Sequence, residues 1–169
     1  RAAHTGRVID AIAAALSVGP ALVLTGAGMS TDSGIPDYRG PDGTRRVTPM
    51  HYGEFVGSSQ ARQRYWARSY VGWRRFHAAR PNAAHHLVTR LQDLGAVGPV
   101  ITQNVDGLHQ AAGTRDVVEL HGSLVGVVCL TCEAREDRRT LDARMARDNP
   151  GFDVDSDEIR PDGDVRLES

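Results

Sequence analysis

Val8, Ile9, Ile12 and Leu16 recur at the three- and four-residue intervals that gather side chains on one helix face, and Gly19-Pro20 ends the pattern. The apolar run Ala21-Leu-Val-Leu24 then predicts a strand over Ala21–Thr25, which delivers the chain to Gly26-Ala-Gly28. From Gly40 to Ser59 the text is rich in Gly, Pro, Asp and Ser without periodicity, which predicts a long loop able to close over a bound ligand. Seven of the nine Phe, Trp and Tyr residues lie between Tyr52 and Phe76, and Tyr65, Trp66, Tyr70, Trp73 and Phe76 fall at helical intervals. That spacing predicts a helix with an aromatic stripe in the core. Pro81-Asn82 opens a further helix, with Ala84, Leu87, Val88, Leu91 and Leu94 as its apolar side and Gly95 as its stop. Strands are expected near Gly98–Thr102 and Val117–Leu120, and another over Val125–Cys132. Helices alternating with short apolar strands predict an α/β chain around a parallel sheet, with ligands at the carboxyl ends of the strands.

Composition narrows the chemistry. The 169 residues are 40% hydrophobic with a net charge of −1, enough for one sizeable core and without the basic excess that binds nucleic acid by bulk charge. All 20 basic residues are arginine, so lysine Schiff-base or lysine-nucleophile chemistry within the chain is excluded. No apolar run approaches the roughly 20 residues needed to span a bilayer, and no secretory signal pattern is visible. Two cysteines make no disulfide framework, which points to a reducing, soluble compartment. The first residue is Arg1, consistent with a processed or trimmed start.

Candidate chemistry sits where strands end. Gly26 and Gly28 let the backbone turn sharply and approach a phosphate with free N–H groups. The third glycine of a dehydrogenase fingerprint would fall at Thr31, and the next glycine is Gly34, so the generic dinucleotide motif does not match. Ser33-Gly-Ile-Pro-Asp37, followed by Tyr38 and Arg39, joins a flexible glycine, a φ-locked proline and a carboxylate in one mobile loop. Gln103, Asn104 and Asp106 follow the strand near Gly98–Thr102 and point to a site at its carboxyl end. His121, at the end of the Val117–Leu120 strand and beside Gly122, can accept a proton from a hydroxyl held against it, although a lone histidine at a strand end is more often structural or solvated. The pair Tyr65-x-x-Arg68 puts a hydroxyl and a guanidinium on one helix face, suited to a carboxylate clamp and equally to a surface arginine beside a buried tyrosine. Cys129-x-x-Cys132 is half of a tetrahedral zinc knuckle or a redox pair, and no second such pair follows it. From Arg135 onward the text is charged, then mostly acidic after Pro150, which predicts a surface insertion.

Gly26–Gly40, Thr102-Gln-Asn-Val-Asp-Gly-Leu-His109 and Glu119-Leu-His-Gly122, in this order, resemble the sirtuin family of NAD-dependent protein deacylases. Arg62-Gln-Arg-Tyr-Trp-Ala-Arg68, Val71-Gly-Trp73 and Pro161-Asp-Gly-Asp-Val165 are most similar to the class II branch that holds the mitochondrial lipoamidase and ADP-ribosyltransferase sirtuin. The resemblance implies a partial Rossmann-like doubly wound sheet over residues 1–124, with a helical and loop insertion at about 40–80. Residues 125–169 would begin a small zinc-binding module whose second cysteine pair lies outside this chain, leaving Cys129 and Cys132 as the metal ligands present. NAD would be held by Gly26, Ala27, Gly28, Ser30, Ile35, Asp37, Tyr38, Arg39, Gln103, Asn104, Val105 and Asp106, with His121 and Asn104 catalytic.

In the implied reaction the acyl oxygen of a substrate lysine attacks the ribose, nicotinamide leaves, and His121 takes a proton through the ribose hydroxyls, giving lysine and O-acyl-ADP-ribose. Tyr65 and Arg68 align with a pair that recognises acidic acyl chains in desuccinylase sirtuins. The alternatives are an ADP-ribosyltransferase and a non-catalytic NAD- or partner-binding fragment, because the segments implied to hold the adenosine half are absent from this chain. The expected partners are acylated-lysine proteins, with no nucleic acid and no membrane. A monomer is expected, in the cytoplasm or, for a eukaryote, the mitochondrial matrix.

Overall fold

Three parallel strands, β1 (Ala21–Thr25), β2 (Val97–Thr102) and β3 (Val117–Glu119), form a sheet in the order β1-β2-β3 in a computed structural model. The model describes residues 2–40, 42–45, 47–152, 154, 156 and 160–165. Val23 and Val117 flank Val100, which is fully buried, and the register brings Thr25, Thr102 and Glu119 level at the carboxyl ends of the strands. One edge of the site is therefore drawn by three strand termini at one height. The parallel pairing of β1 with β2 requires a crossover, and the helices α2 (Tyr52–Gly57), α3 (Ser59–Ala78) and α4 (Ala83–Asp93) lie within it.

Each predicted strand and helix of the sheet region forms within a residue or two of its expected bounds. Asn82 explains the start of α4: its side chain accepts from the Ala84 and His85 N–H groups, while His85 Nδ1 accepts from the Asn82 N–H. Such a cap contributes about 1 kcal/mol. Gly95 ends the helix at φ +74°, a conformation that a side chain would strain. The helix α1 (Ala2–Leu16) also forms, but Val8, Ile9 and Ile12 on its apolar face are exposed. Leu22, Leu24, Val118 and Leu120 are exposed as well. Continuous apolar strands suit a sheet covered on both faces; among the described residues only one face is covered.

Three expectations need correction. The strand expected over Val125–Cys132 spans Gly126–Val128, because the chain turns back from Cys129 to pair with residues 135–137. The predicted loop from Gly40 to Ser59 contains α2, whose Phe55 ring meets Tyr65 of α3 edge-on at 5.1 Å. The sequence hides this helix because its six residues are too few to show periodicity. The charged stretch after Arg135 is not only a surface insertion. It forms strand β5 (Arg135–Asp137), antiparallel to β4 (Gly126–Val128), and then helix α6 (Arg138–Asp148). Arg138 is 3% exposed, with its guanidinium over the rings of Trp73 and Trp66 at 5.0 and 5.6 Å. Its charge is compensated by Asp142 and by the Ser69 carbonyl, which is how an arginine enters a core.

The aromatic stripe of α3 is the core predicted for it. Trp73 and Phe76 pack with Ile35 and Leu108, and Tyr70 and Val71 pack with Val165. Val165 is fully buried, so the turn Arg160–Val165 also belongs to the interior side of the molecule. At its centre Gly163, at φ +73°, lies so close to α3 that a Cβ on Gly72 would come 2.2 Å from its carbonyl oxygen. The two glycines permit this approach. Among the described residues no helix is long and apolar enough to cross a membrane.

Candidate functional site

At the end of β1 the chain passes Gly26 in extended conformation and enters a 3-10 helix over Ala27–Ser33, ended by Gly34 at φ +84°. A Cβ built on Gly26 or Gly28 would meet nothing within 4 Å, so the glycine turn stands open to a ligand approaching its backbone. At the end of β2, Gln103 donates its N–H to the Thr25 carbonyl and Asn104 donates its own to Thr102 Oγ1. Strand pairing thus brings the glycine turn and the Gln103–Asp106 loop side by side.

Asn104 is 9% exposed and its amide nitrogen spends both protons, donating to the Gly26 carbonyl and to Ser30 Oγ, both at 3.1 Å. Ser30 Oγ in turn donates to Asp106 Oδ2 at 2.6 Å, and Asp106 Oδ1 accepts the Leu108 N–H. The short contact is a charge-assisted bond. It ties the first loop to the second through buried atoms. Ile35, 3% exposed, closes the floor beneath them.

Behind this row lies a second polar layer. Thr25 Oγ1 donates to Thr102 Oγ1 at 2.9 Å and is met by His109 Nε2 at 3.0 Å. His109 and His85 are both buried, with the rings edge to face at 5.1 Å. Burial pushes both imidazoles below the usual histidine range, so they are neutral at pH 7. Asn82, besides capping α4, donates from its amide to the Met29 carbonyl and to Ser33 Oγ, clamping the 3-10 helix from outside.

A cavity of about 470 Å³ opens in front of this wall. Ala27, Tyr38, Gln103, Asn104, Val105 and His121 line one part of it. His121 is exposed, and its Nδ1 sits 3.0 Å from the Gln103 carbonyl. A carbonyl only accepts, so Nδ1 carries the proton and Nε2 is the basic nitrogen. Tyr65, Asp162, Asp164, Met50 and Leu124 line the rest, together with Arg45. Burial, with help from the Asp162 charge, raises Tyr38 to about 12 and raises Tyr65 as well. Burial likewise lifts the Asp164 carboxyl to about 6.

Of the residues predicted for the site, Ala27, Ser30, Ile35, Tyr38, Gln103, Asn104, Val105 and Asp106 surround this cavity or the small cleft that continues it beneath the loop. His121 and Tyr65 join them in the larger space. Gly26 and Gly28 form the turn beside it. Asp37 and Arg39 lie outside both linings; the Arg39 guanidinium donates to the Gly43 carbonyl at 2.9 Å. Arg68 also lies outside, with Nη1 4.0 Å from Asp164 Oδ2. Sequence reading assigned no role to Asp162, Asp164, His85 or His109. The Pro161-Asp-Gly-Asp motif was the signal for the first two; nothing local marks two histidines as a buried pair.

Cys129 and Cys132 stand apart, both exposed at the β4–β5 hairpin. The Cys129 N–H donates to the Ala134 carbonyl, and Glu133 turns the chain at φ +59°. The backbone N–H groups of Cys132 and Thr131 face the Cys129 sulfur and hold its thiol below the usual range, which favours a metal-binding thiolate. Among the described residues no group of three or more His, Cys, Asp or Glu is placed to hold a metal ion. Tetrahedral zinc at this knuckle therefore needs two further ligands.

Residues 26–162 match the family model described as the Sir2 family. Among curated relatives, a protein named NAD-dependent protein deacetylase 1 from Streptomyces coelicolor is 55% identical over 157 residues, covering 92% of this chain and 52% of the relative. NAD-dependent protein deacylase Sirt4 from Drosophila melanogaster is 52% identical over 150 residues, covering 86% of this chain and 48% of the relative. A solved structure titled "Sir2-p53 peptide-NAD+" superposes at a TM-score of 0.63 with 36% identity, over 74% of this chain and 50% of that one. The chain spans about half the length of the curated relatives it matches. The strand order, the glycine turn, the Gln103–Asp106 loop and these matches together establish that this chain belongs to the Sir2 family, the sirtuins, and carries its Rossmann-like α/β fold.

Proposed function

We propose that the full-length protein is an NAD-dependent protein lysine deacylase, which moves the acyl group of a modified lysine onto ADP-ribose with release of nicotinamide. The observation that carries this reading is the His121 tautomer. With Nδ1–H held by the Gln103 carbonyl, Nε2 is left basic in the same cavity as Gln103 and Asn104. The names of the relatives support NAD dependence and protein deacylation.

NAD supplies an activated ribose and a leaving group. The open turn at Gly26, Ala27 and Gly28 suits its pyrophosphate, and Ser30, Ile35, Tyr38 and Val105 would enclose the nicotinamide end with Asp106. Asp37 and Arg39 would join by movement of their loop. Asn104 holds its place through bonds to Gly26 and Ser30 and orients the ribose side, Gln103 steadies the hydroxyls, and His121 Nε2 accepts the proton. Cys129 and Cys132 would be two of four ligands to a structural zinc, in a module starting near residue 125. Acylated-lysine proteins are the partners this reading requires, and the location that goes with it is the cytoplasm or the mitochondrial matrix.

The test is mass-spectrometric detection of nicotinamide and O-acyl-ADP-ribose after incubation of NAD with acyl-lysine peptides. The full-length protein should form both, and His121→Ala should lose them by about 100-fold or more. An ADP-ribosylated product without O-acyl-ADP-ribose would replace deacylation by transfer to protein.

A further inference from the structure

We propose that Asp164 masks Arg68, so that the cavity end beside Tyr65 accepts uncharged acyl chains and turns carboxylated ones away. The inference rests on the deacylase reading and concerns its acyl selectivity. Tyr65, Arg68 and Gly72 share one face of α3, spaced three and four residues apart. The turn Arg160–Val165 lies on that face, seated by the close approach of Gly163 to Gly72. A Cβ on Gly163 would itself come 2.7 Å from Leu124 Cδ1, so the turn has little room to slide.

This seating decides which charge the cavity meets. Asp162 and Asp164 line it and Arg68 does not. The Asp164 side chain is 13% exposed and lines the cavity, with Oδ2 4.0 Å from Nη1 of Arg68, which lies outside the lining. Its other oxygen accepts the Val165 N–H at 2.8 Å, which fixes the carboxylate in this direction. Arg45 is the cation in the lining, and its Nε–H is already spent on the Val47 carbonyl. The lining thus presents two carboxylates and one guanidinium, and the Arg68 guanidinium is paired with Asp164 outside it. A carboxylated acyl chain would enter against like charge, whereas a neutral chain meets the Tyr65 ring, Met50 and Leu124.

The experiment compares glutaryl-lysine and length-matched valeryl-lysine versions of one peptide on the full-length protein. It records kcat/KM and, by fluorescence anisotropy, peptide Kd. The wild type should favour valeryl. Asp164→Asn keeps an acceptor for the Val165 N–H and should raise the glutaryl-to-valeryl ratio about tenfold or more, as a freed guanidinium gains a charge-assisted partner. Adding Arg68→Met to Asp164→Asn should return the ratio to its starting value, while Arg68→Met alone should leave it within about twofold. A wild type that favours glutaryl, or a ratio unmoved by Asp164→Asn, overturns the masking. If no peptide turns over, the deacylase reading fails and the Kd ratios still decide the masking; peptides that neither turn over nor bind overturn both.

Discussion

The imidazoles of His85 and His109 face each other at 5.1 Å with complementary tautomers. Asn82 N–H donates to His85 Nδ1, so His85 carries its proton on Nε2. Thr25 spends its hydroxyl proton on Thr102, so His109 must donate from Nε2 and leave Nδ1 bare. The remaining atoms, His85 Nε2 and His109 Nδ1, are one donor and one acceptor, both buried and neither in a hydrogen bond. The pair joins the cap of α4 to the threonines that support Asn104.

Protonating either ring would break this arrangement. Burial lowers both folded-state values, so between those values and the unfolded one the unfolded chain binds more protons. Stability is then full above the unfolded value of about 6.5 and falls as pH drops below it. Asp164, raised to about 6, acts in the opposite direction and loses its contribution as pH rises through that value. Urea midpoints at about pH 7.5 and about pH 6 should differ in the wild type and lie closer together in His109→Gln, where His85 alone of the pair still titrates. Equal slopes in the two proteins would show that the pair does not govern the acid limb.

Ser30→Ala removes the acceptor of the Asn104 amide and the donor of Asp106 together. Bonds involving a charged group are worth about 1.5–3 kcal/mol, so kcat/KM on an acetyl-lysine peptide should fall roughly 10- to 100-fold. The urea midpoint measured alongside separates this from loss of fold.

Gly72→Ala should destabilise, against the rule that alanine improves a helix by about 1 kcal/mol over glycine. The new methyl would meet the Gly163 carbonyl oxygen, and overpacking of this kind costs about 1–3 kcal/mol. Limited proteolysis should then cut the Arg160–Val165 turn sooner than in the wild type. A variant as stable as the wild type would mean that the turn yields without cost.

Arg138→Met leaves the Ser69 carbonyl and Asp142 without the guanidinium. Breaking a buried ionic contact costs about 3 kcal/mol, which chemical denaturation should register as a lower midpoint. The Trp66 and Trp73 rings beside the guanidinium make tryptophan fluorescence the natural probe.

Cys129→Ser should lower the zinc content of the full-length protein, measured by elemental analysis, and lower its Tm. Unchanged zinc would assign the metal to ligands other than this knuckle.

Sequence by itself determined what depends on near neighbours. Short apolar runs set β1, β2 and β3; the Asn82 cap and Gly95 set the limits of α4; the aromatic spacing of α3 named Tyr70, Trp73 and Phe76 as core. The glycine turn, the Gln103–Asp106 loop and His121 were legible because their chemistry follows directly after strand ends. Tertiary structure alone decided what depends on distant segments meeting. The placement of Asp164 beside Arg68, the arginine held between Trp66 and Trp73, and the pairing of His85 with His109 each join residues from separate elements. Side-chain periodicity has no register between elements, so a motif can show which residues are chemically able, and only packing determines which of them the cavity meets.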